Sequence, residues 1–301
     1  MIDRQKPSQF VYDEFNIKNA DFYNVDFVRD NKVFLNPYEI EFLNHPVAQK
    51  ATAVAIDFFE TVRQHMLAND FKTAQQLFCQ HLSEPRETCL GYSSCGVCGK
   101  GIRDMASYVL KEIYDDNALK HAIRRIEDIK LFVPNISNDR VSDIYTNVIR
   151  RVLLEYTKEQ CRLHGQTLVK KETAMYWNDE THRWEKQKEF EQFFWSDGLP
   201  KLLVPKCFIT NDTYNNNRFN RYELIPDFIY QELQKADSNI VRELKDGTKK
   251  ITKKDMLAEL SRRQVHLDKY AARKYVASHP DCLVHFRQVL FDQRARRRRK
   301  K

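Results

Sequence analysis

The sequence has 301 residues, of which 42% are hydrophobic and 31% charged, and this composition predicts a globular chain with a substantial core. Its longest apolar runs, such as the one around Ala55, fall short of the roughly 18 to 20 apolar residues of a membrane-spanning helix, so we expect no membrane segment. Residues 1–10 have no apolar stretch behind their charges and predict no secretory signal. Seven cysteines without such a signal favour reduced thiols and a cytoplasmic location.

The formal net charge of +8 is concentrated at the end of the sequence. The seven cations that carry it are Arg294, Arg296, Arg297, Arg298, Arg299, Lys300 and Lys301, and the rest of the chain is left with +1. We expect residues 294–301 to form a disordered basic tail, because like charges repel each other. Such a tail either attracts the phosphates of nucleic acid without reading sequence, or is solvated and has no specific partner.

The spacing of apolar residues predicts helices in most of the first half of the chain. Residues 1–37, rich in Asp, Asn, Phe and Tyr, predict short strands or an ordered arm instead. Helices are predicted over residues 38–69 with an interruption near Pro46, and then over 71–80, 102–114 and 117–128. The stretch KLFVP predicts a short buried strand that ends at Pro134, and a long helix is predicted over residues 139–164.

Strands are predicted in the middle of the chain, and helices again at its end. Residues 167–177 and 182–191 predict two strands joined at NDET, and residues 201–209 a third. From Tyr222 onward the pattern is helical and charged, with a turn around Gly247. This order predicts an α+β fold, predominantly helical with a small central sheet. We expect a main domain over residues 1–215, a helical C-terminal subdomain over 216–293, and a hinge near residue 215.

Glycine is concentrated in one short segment. Four of the seven glycines are Gly91, Gly96, Gly99 and Gly101, in the run LGYSSCGVCGKGI. Lys100 and Arg103 flank the predicted start of a helix, where exposed amides attract anions, so this segment is a candidate phosphate-binding loop. A plain flexible connector is the alternative, because the spacing matches neither the dinucleotide fingerprint nor the P-loop.

The same region carries sulfur and imidazole groups that could bind zinc. They are Cys79, His81, Cys89, Cys95 and Cys98, and the last two have CxxC spacing. Zinc takes four such ligands, and neither a second CxxC nor an HxxxH pair is present. We therefore expect zinc to be unlikely.

The run SNDRVSDIYTNVIRR places acids, an amide and arginines on one face of the predicted long helix. Positions three or four apart stack, which aligns Asp139, Asp143 and Asn147, and then Arg150 or Arg151. In a functional interpretation the first three hold Mg²⁺ or Mn²⁺ beside a phosphate that the two arginines bind. In a structural interpretation Asp139 offsets the helix dipole and Asp143 pairs with Asn147 or an arginine. Glu155 then pairs with Lys158.

Three runs in the sequence resemble segments of an uncharacterised group of bacterial proteins associated with phage defence. They are SEPRETCLGYSSCGVCGKGI, DIKLFVPNISNDRVSDIYTNVIRRVLLEYTKEQC and LPKLLVPK. The matching runs contain Glu84, Glu87, Gly91, Asp139, Asp143 and Asn147. The resemblance implies a role in antiphage defence, attaches no established activity, and implies a loop that does not depend on cysteine.

These features favour two classes of function. A metal-dependent nuclease needs carboxylates around a cation and a basic group near the phosphate. The candidate acids are Glu84, Glu87, Asp128, Asp139 and Asp143, with His81 beside them and Asp128 and Lys130 in acid-x-Lys spacing.

The alternative is a non-catalytic nucleic-acid-binding or partner-binding subunit of a defence complex. It would use the basic tail and the tryptophans Trp177, Trp184 and Trp195, which either stack on bases or pack in the core. The nuclease hypothesis requires the amino end of the long helix to meet the segment near Gly96.

Overall fold

The structure is a computed structural model that describes residues 7–29, 31–91, 101–209 and 214–298. The helices before the first strand are α1 Val11–Glu14, α2 Pro37–Glu41, α3 Pro46–Leu67, α4 Phe71–Cys79, α5 Gly101–Tyr114, α6 Asn117–Ala122, α7 Ile129–Phe132, α8 Asn138–Val148 and α9 Arg150–Leu163. Those after it are α10 Asn216–Phe219, α11 Ile225–Gln234, α12 Lys253–Arg262, α13 Lys269–Ser278 and α14 Cys282–Arg298. None of the described helices is long and apolar enough to cross a membrane.

The strands are short and form three small antiparallel sheets. They are β1 Val169–Lys171, β2 Tyr176–Asn178, β3 Arg183–Glu185, β4 Phe190–Phe194, β5 Pro200–Lys201, β6 Arg242–Glu243 and β7 Lys249–Lys250. One sheet has the order β1-β4-β5, and the others are the hairpins β2-β3 and β6-β7. The predicted class, α+β and predominantly helical, is confirmed.

Helix α3 forms the centre of the main hydrophobic core. Its side chains Ala51, Val54, Phe58 and Val62 recur every three or four residues and are buried against α4, α8 and α9. Pro46 begins this helix, because proline at the first helical position lacks only an amide that would be unpaired there. The predicted interruption near Pro46 is therefore confirmed.

The N-terminal residues form an ordered arm rather than strands. Phe15, Phe22 and Phe27 pack in a second hydrophobic cluster against α9 and β4. Isolated bridges join Phe10 to Asp26 and Asn31 to Leu90. The ordered arm is confirmed for the described part of residues 1–37, and short strands are absent there.

The prediction of a strand at KLFVP is wrong, because Ile129–Phe132 is the helix α7. Ile129, Leu131 and Phe132 are all buried, and a short run that is buried on every side carries no periodicity to separate strand from helix. The predicted strand over residues 201–209 is reduced to β5, and a 3-10 turn follows at Lys206–Phe208.

The predicted long helix over residues 139–164 is two helices, α8 and α9. The break is at Ile149, whose backbone leaves the helical region with φ −86° and ψ 10°. Because the helical phase changes there, positions before and after Ile149 do not continue one face.

The C-terminal helices share the main core. Phe219, Val276 and Phe286 belong to the same buried cluster as the side chains of α3. The chain does not become disordered at Arg294 as predicted, because α14 continues through Arg298. Arg294 Nη1 lies 2.6 Å from Glu39 Oε2, an ion pair that holds this end of α14 against α2. Residues 299–301 of the predicted tail lie outside the described residues.

Candidate functional site

Residues 82–91 form a segment that crosses the candidate site, here called the crossing segment, and Asn147 on α8 holds its start. Its side chain is buried, and Oδ1 accepts hydrogen bonds from Ser83 N (3.1 Å) and Arg150 Nη2 (3.0 Å). Its Nδ2 donates to Ser83 O and to Asp143 O, both at 2.7 Å. Ser83 Oγ also lies 3.3 Å from Oδ1. The prediction that Asn147 is a metal ligand is not supported, because this oxygen already accepts three hydrogen bonds.

Arg150 is a buried structural residue and not a phosphate ligand as predicted. Its Nε donates to Glu87 Oε1 at 2.6 Å, and its Nη1 donates to Met175 O at 2.5 Å. With Nη2 bonded to Asn147, the three nitrogens of the guanidinium each donate a hydrogen bond within the protein. The ion pair also removes Glu87 from the predicted catalytic acids, since its carboxylate is neutralised by Arg150.

Three of the predicted acids do lie close together. Asp139 and Asp143 are one turn apart on α8, and Glu84 on the crossing segment is near enough for its charge to act on Asp143. The pKa of Asp143 is raised to about 8, chiefly by burial; the charges of Asp139 and Glu84 contribute to this rise, and the charge of Arg140 opposes it. Among the described residues, no basic side chain forms an ion pair with Asp143. The predicted pairing of Asp143 with an arginine is therefore not found.

The glycine-rich segment meets this cluster at its described edge. Gly91 has φ +125°, and a Cβ at this position would lie 3.2 Å from Asp139 Oδ1. Gly91 N donates to Asn31 O at 2.9 Å, which joins this backbone to the N-terminal arm. Gly91, the described edge of this segment, therefore lies beside Asp139, whereas the predicted meeting near Gly96 falls outside the described residues. Residues 92–100 lie outside the described residues, and with them Cys95, Gly96, Cys98, Gly99 and Lys100.

Two arginines that the sequence analysis did not select, Arg86 and Arg140, lie close to the acids. Arg86 Nη2 lies 4.0 Å from Glu84 Oε2, an oxygen that is buried and accepts no hydrogen bond among the described residues. Arg140 acts electrostatically on Asp143. Arg103, which was predicted to bind phosphate, donates from Nε to Leu82 O at 3.4 Å. It therefore lies at the start of the crossing segment. The position of Arg140 between two acids in SNDRVSD was the sequence signal for it.

Arg151 and His81 make their described contacts with residues other than the acids. Arg151 donates to Glu155 at 2.7 Å and to Tyr176 Oη at 3.0 Å, on the face of α9 that looks toward β2. The His81 ring packs 5.7 Å from that of Trp184. Burial lowers the pKa of His81, and the charge of Arg103 lowers it further. Among the described residues, neither side chain forms a hydrogen bond or ion pair with Glu84, Asp139 or Asp143.

The predicted pair of Glu155 with Lys158 is wrong. Glu155 pairs with Lys50 and Arg151, whereas Lys158 pairs with Glu191.

The tryptophans pack in the core, which is the second of the two predicted alternatives. Trp177 and Trp195 are buried, and Trp184 is half-buried. Trp177 Nε1 donates to Asp57 at 2.7 Å, and Trp184 Nε1 donates to Leu77 O at the same distance.

The acid-x-Lys pair does not form a nuclease dyad. The Asp128 carboxylate accepts from Tyr214 Oη at 2.5 Å and from Arg287 Nη2 at 2.8 Å. Lys130 Nζ donates to Asn138 Oδ1 at 2.9 Å. Both side chains are buried in structural contacts, because the predicted strand edge that would have presented them is the helix α7.

Within residues 7–29, 31–91, 101–209 and 214–298, no group of three His, Cys, Asp or Glu side chains is placed to hold one metal ion. Of the predicted zinc ligands, Cys79 is half-buried and burial raises its pKa to about 12, which disfavours the thiolate that zinc requires. Cys89 is buried, with Lys201 Nζ 3.8 Å from its sulfur. A metal ion held by the described residues would therefore have at most two such side chains as ligands.

Comparison with known proteins gives one result that concerns the family. Residues 14–216 match the family described as a domain of unknown function, DUF8370, and the match includes Glu84, Asp139 and Asp143. It ends at the start of α10, so α11 to α14 lie beyond it. No curated protein and no solved structure matches the chain. Because the match covers more than half of its length, the chain belongs to the DUF8370 family.

Proposed function

We propose that the protein is a nuclease of bacterial antiphage defence that acts on nucleic acid in the cytoplasm, with Mg²⁺ or Mn²⁺ bound by Asp139 and Asp143. The observation that carries this proposal is the arrangement of Asp143. Its carboxylate lies near two other carboxylates and is in no ion pair with a described cation. A divalent cation would relieve this repulsion.

Two carboxylates are enough for such an ion. Mg²⁺ usually keeps several waters and is bound in enzymes through one or two carboxylates together with substrate phosphates. If bound, the ion would supply Lewis-acid chemistry, which stabilises negative charge on a phosphodiester and favours ionisation of water. The role of general base would fall to Glu84, because its buried Oε2 accepts no hydrogen bond from the described residues and could take up a proton.

The positive charges near the acids suit a phosphate substrate. Arg86 lies 4.0 Å from Glu84, the charge of Arg140 acts on Asp143, and Arg103 on α5 contacts the backbone of Leu82, two residues before Glu84. Arginines in such positions stabilise the charge that develops on a phosphate during hydrolysis. The defence role is supported by the resemblance of the runs that contain Glu84, Asp139 and Asp143.

The second candidate is a non-catalytic nucleic-acid-binding or partner-binding subunit of a defence complex. The observation that favours it is the structural use of three predicted site residues, Glu87, Asn147 and Arg150, which bond to each other. Under this candidate the acids on α8 would contact a partner and no bond would be cleaved.

Incubation of the full chain with single- and double-stranded DNA and RNA separates the two candidates. We expect cleavage with Mn²⁺ or Mg²⁺, none with a chelator, and a loss of at least about 100-fold in rate in Asp139→Ala and Asp143→Ala. Glu159→Ala, at an exposed acid on α9, is the matched control and should cleave like the wild type. Cleavage that survives in Asp143→Ala contradicts the proposal, and binding without cleavage supports the second candidate.

A further inference from the structure

The hairpin β6-β7 is an exposed ribbon beyond the part of the chain that matches the family. Arg242 and Glu243 pair with Lys250 and Lys249, and Gly247 makes the turn with φ +80°. All residues from 242 to 250 are exposed, and α12 begins three residues after β7. The hairpin thus contributes little to the core, so packing does not determine which side chains it carries.

Positive charge is concentrated on this ribbon. Residues 242–254 contain six cations and two acids. Five of the cations are lysines that form no ion pair among the described residues: Lys245, Lys249, Lys250, Lys253 and Lys254. Unlike these lysines, two arginines nearby are in ion pairs. Arg242 pairs with Asp255 at 2.8 Å, and Arg263 pairs with Glu232 at 2.7 Å. The lysines therefore present charge that the protein itself does not neutralise.

Helix stability does not account for two of these lysines. Lys253 and Lys254 occupy the first turn of α12, where the helix dipole is positive and a cation is unfavourable. The end of the helix is already capped by Thr252, whose Oγ1 accepts from Asp255 N at 3.2 Å. An anion bound outside the protein would offset the repulsion between these lysines and the helix dipole.

We propose that the β6-β7 hairpin and the first turn of α12 bind the phosphate backbone of nucleic acid. A two-stranded ribbon fits the major groove of a duplex, and lysines on both sides of it reach the flanking phosphates. The choice of nucleic acid as the anion rests on the proposed function of the acidic cluster. A membrane surface is disfavoured, because Leu244 is the one large apolar side chain on the exposed hairpin, and membrane binding requires a continuous apolar face.

Binding measured in a chelator tests this surface apart from cleavage. The full chain is titrated into fluorescent duplex DNA and RNA at several salt concentrations, and fluorescence anisotropy gives the Kd. The triple variant Lys249→Glu, Lys250→Glu, Lys254→Glu should bind at least about tenfold more weakly. The slope of its log Kd against log salt concentration should fall by the amount expected for the loss of about 2 to 3 phosphate contacts. The double variant Lys72→Glu, Lys111→Glu, at exposed lysines on α4 and α5, should bind like the wild type.

The outcomes distinguish this proposal from the proposed function. Asp143→Asn should keep the wild-type Kd, so loss of cleavage with retained binding leaves the hairpin proposal intact. A triple variant with the wild-type Kd and salt dependence overturns it. Binding of the wild type to vesicles containing phosphatidylserine, with none to nucleic acid, also overturns it and assigns the surface to a membrane.

Discussion

Replacement of Arg287 by methionine is expected to lower the free energy of unfolding by about 3 to 5 kcal/mol, the usual cost of removing one partner from a buried ion pair. Arg287 on α14 lies 2.6 Å from Glu41, 2.7 Å from Glu127 and 2.8 Å from Asp128. Glu127 and Asp128 are buried, so both would be left in the protein interior without their cation. Burial already raises the pKa of Glu127, and Arg287 is the main group that opposes this shift.

Urea denaturation followed by circular dichroism measures this loss. Arg297→Met, at an exposed position on the same helix, is the matched control and should change the free energy of unfolding by less than about 0.5 kcal/mol. A second substitution, Glu127→Gln, should restore part of the stability of Arg287→Met, because it removes one of the stranded charges. An Arg287→Met protein as stable as the control would show that these ion pairs do not hold α14 to the main core.

Asp143→Asn is expected to stabilise the protein at high pH while it abolishes activity. The pKa of Asp143 is about 8 in the folded protein and near 4 in an unfolded chain. Between these values the folded state binds the proton that the unfolded state has lost, so stability falls as pH rises. The contribution of this carboxyl is fully present below pH 4 and is lost as pH rises through 8. The asparagine side chain does not titrate, so the free energy of unfolding of the variant does not fall with pH for this reason.

We expect the variant to gain about 1 to 3 kcal/mol in the free energy of unfolding at pH 9, relative to wild type, and little at pH 4. Thermal and urea denaturation across this range measure the difference. Asp237→Asn, at an exposed acid, should show no such pH dependence. An Asp143→Asn protein that is no more stable than wild type at pH 9 would mean that Asp143 ionises without a cost, and the electrostatic argument for a cation would fail.

Apolar spacing was sufficient to predict the long amphipathic helices. In α3 the buried positions recur with the helical period over six turns, and the proline at its start is itself a sequence signal. KLFVP offered no such pattern, because its residues are buried on every side. The prediction of disorder at Arg294 is wrong for a different reason. The charge of Arg294 is paired with that of Glu39, which is 255 residues away in the sequence.

The candidate site was predicted only in part, because a shared helix face does not determine the partner of each side chain. Asp139 and Asp143 were correctly placed one turn apart on one helix. Arg150 and Arg151 were treated as equivalent, yet the break at Ile149 directs Arg150 into the core and Arg151 toward Tyr176. The decisive contact, Arg150 with Glu87, joins residues 63 positions apart, and periodicity carries no information about such pairs.

The most direct test of the acidic cluster is a titration of the nucleic-acid-free protein with Mn²⁺ by isothermal calorimetry at neutral pH. The account predicts that about one ion binds to each wild-type chain, because Asp139 and Asp143 supply two carboxylates to a single ion. It also predicts that binding is lost in Asp143→Asn and retained in Asp237→Asn. Mn²⁺ that binds equally well to Asp143→Asn, or that does not bind the wild type, would contradict a metal site on α8.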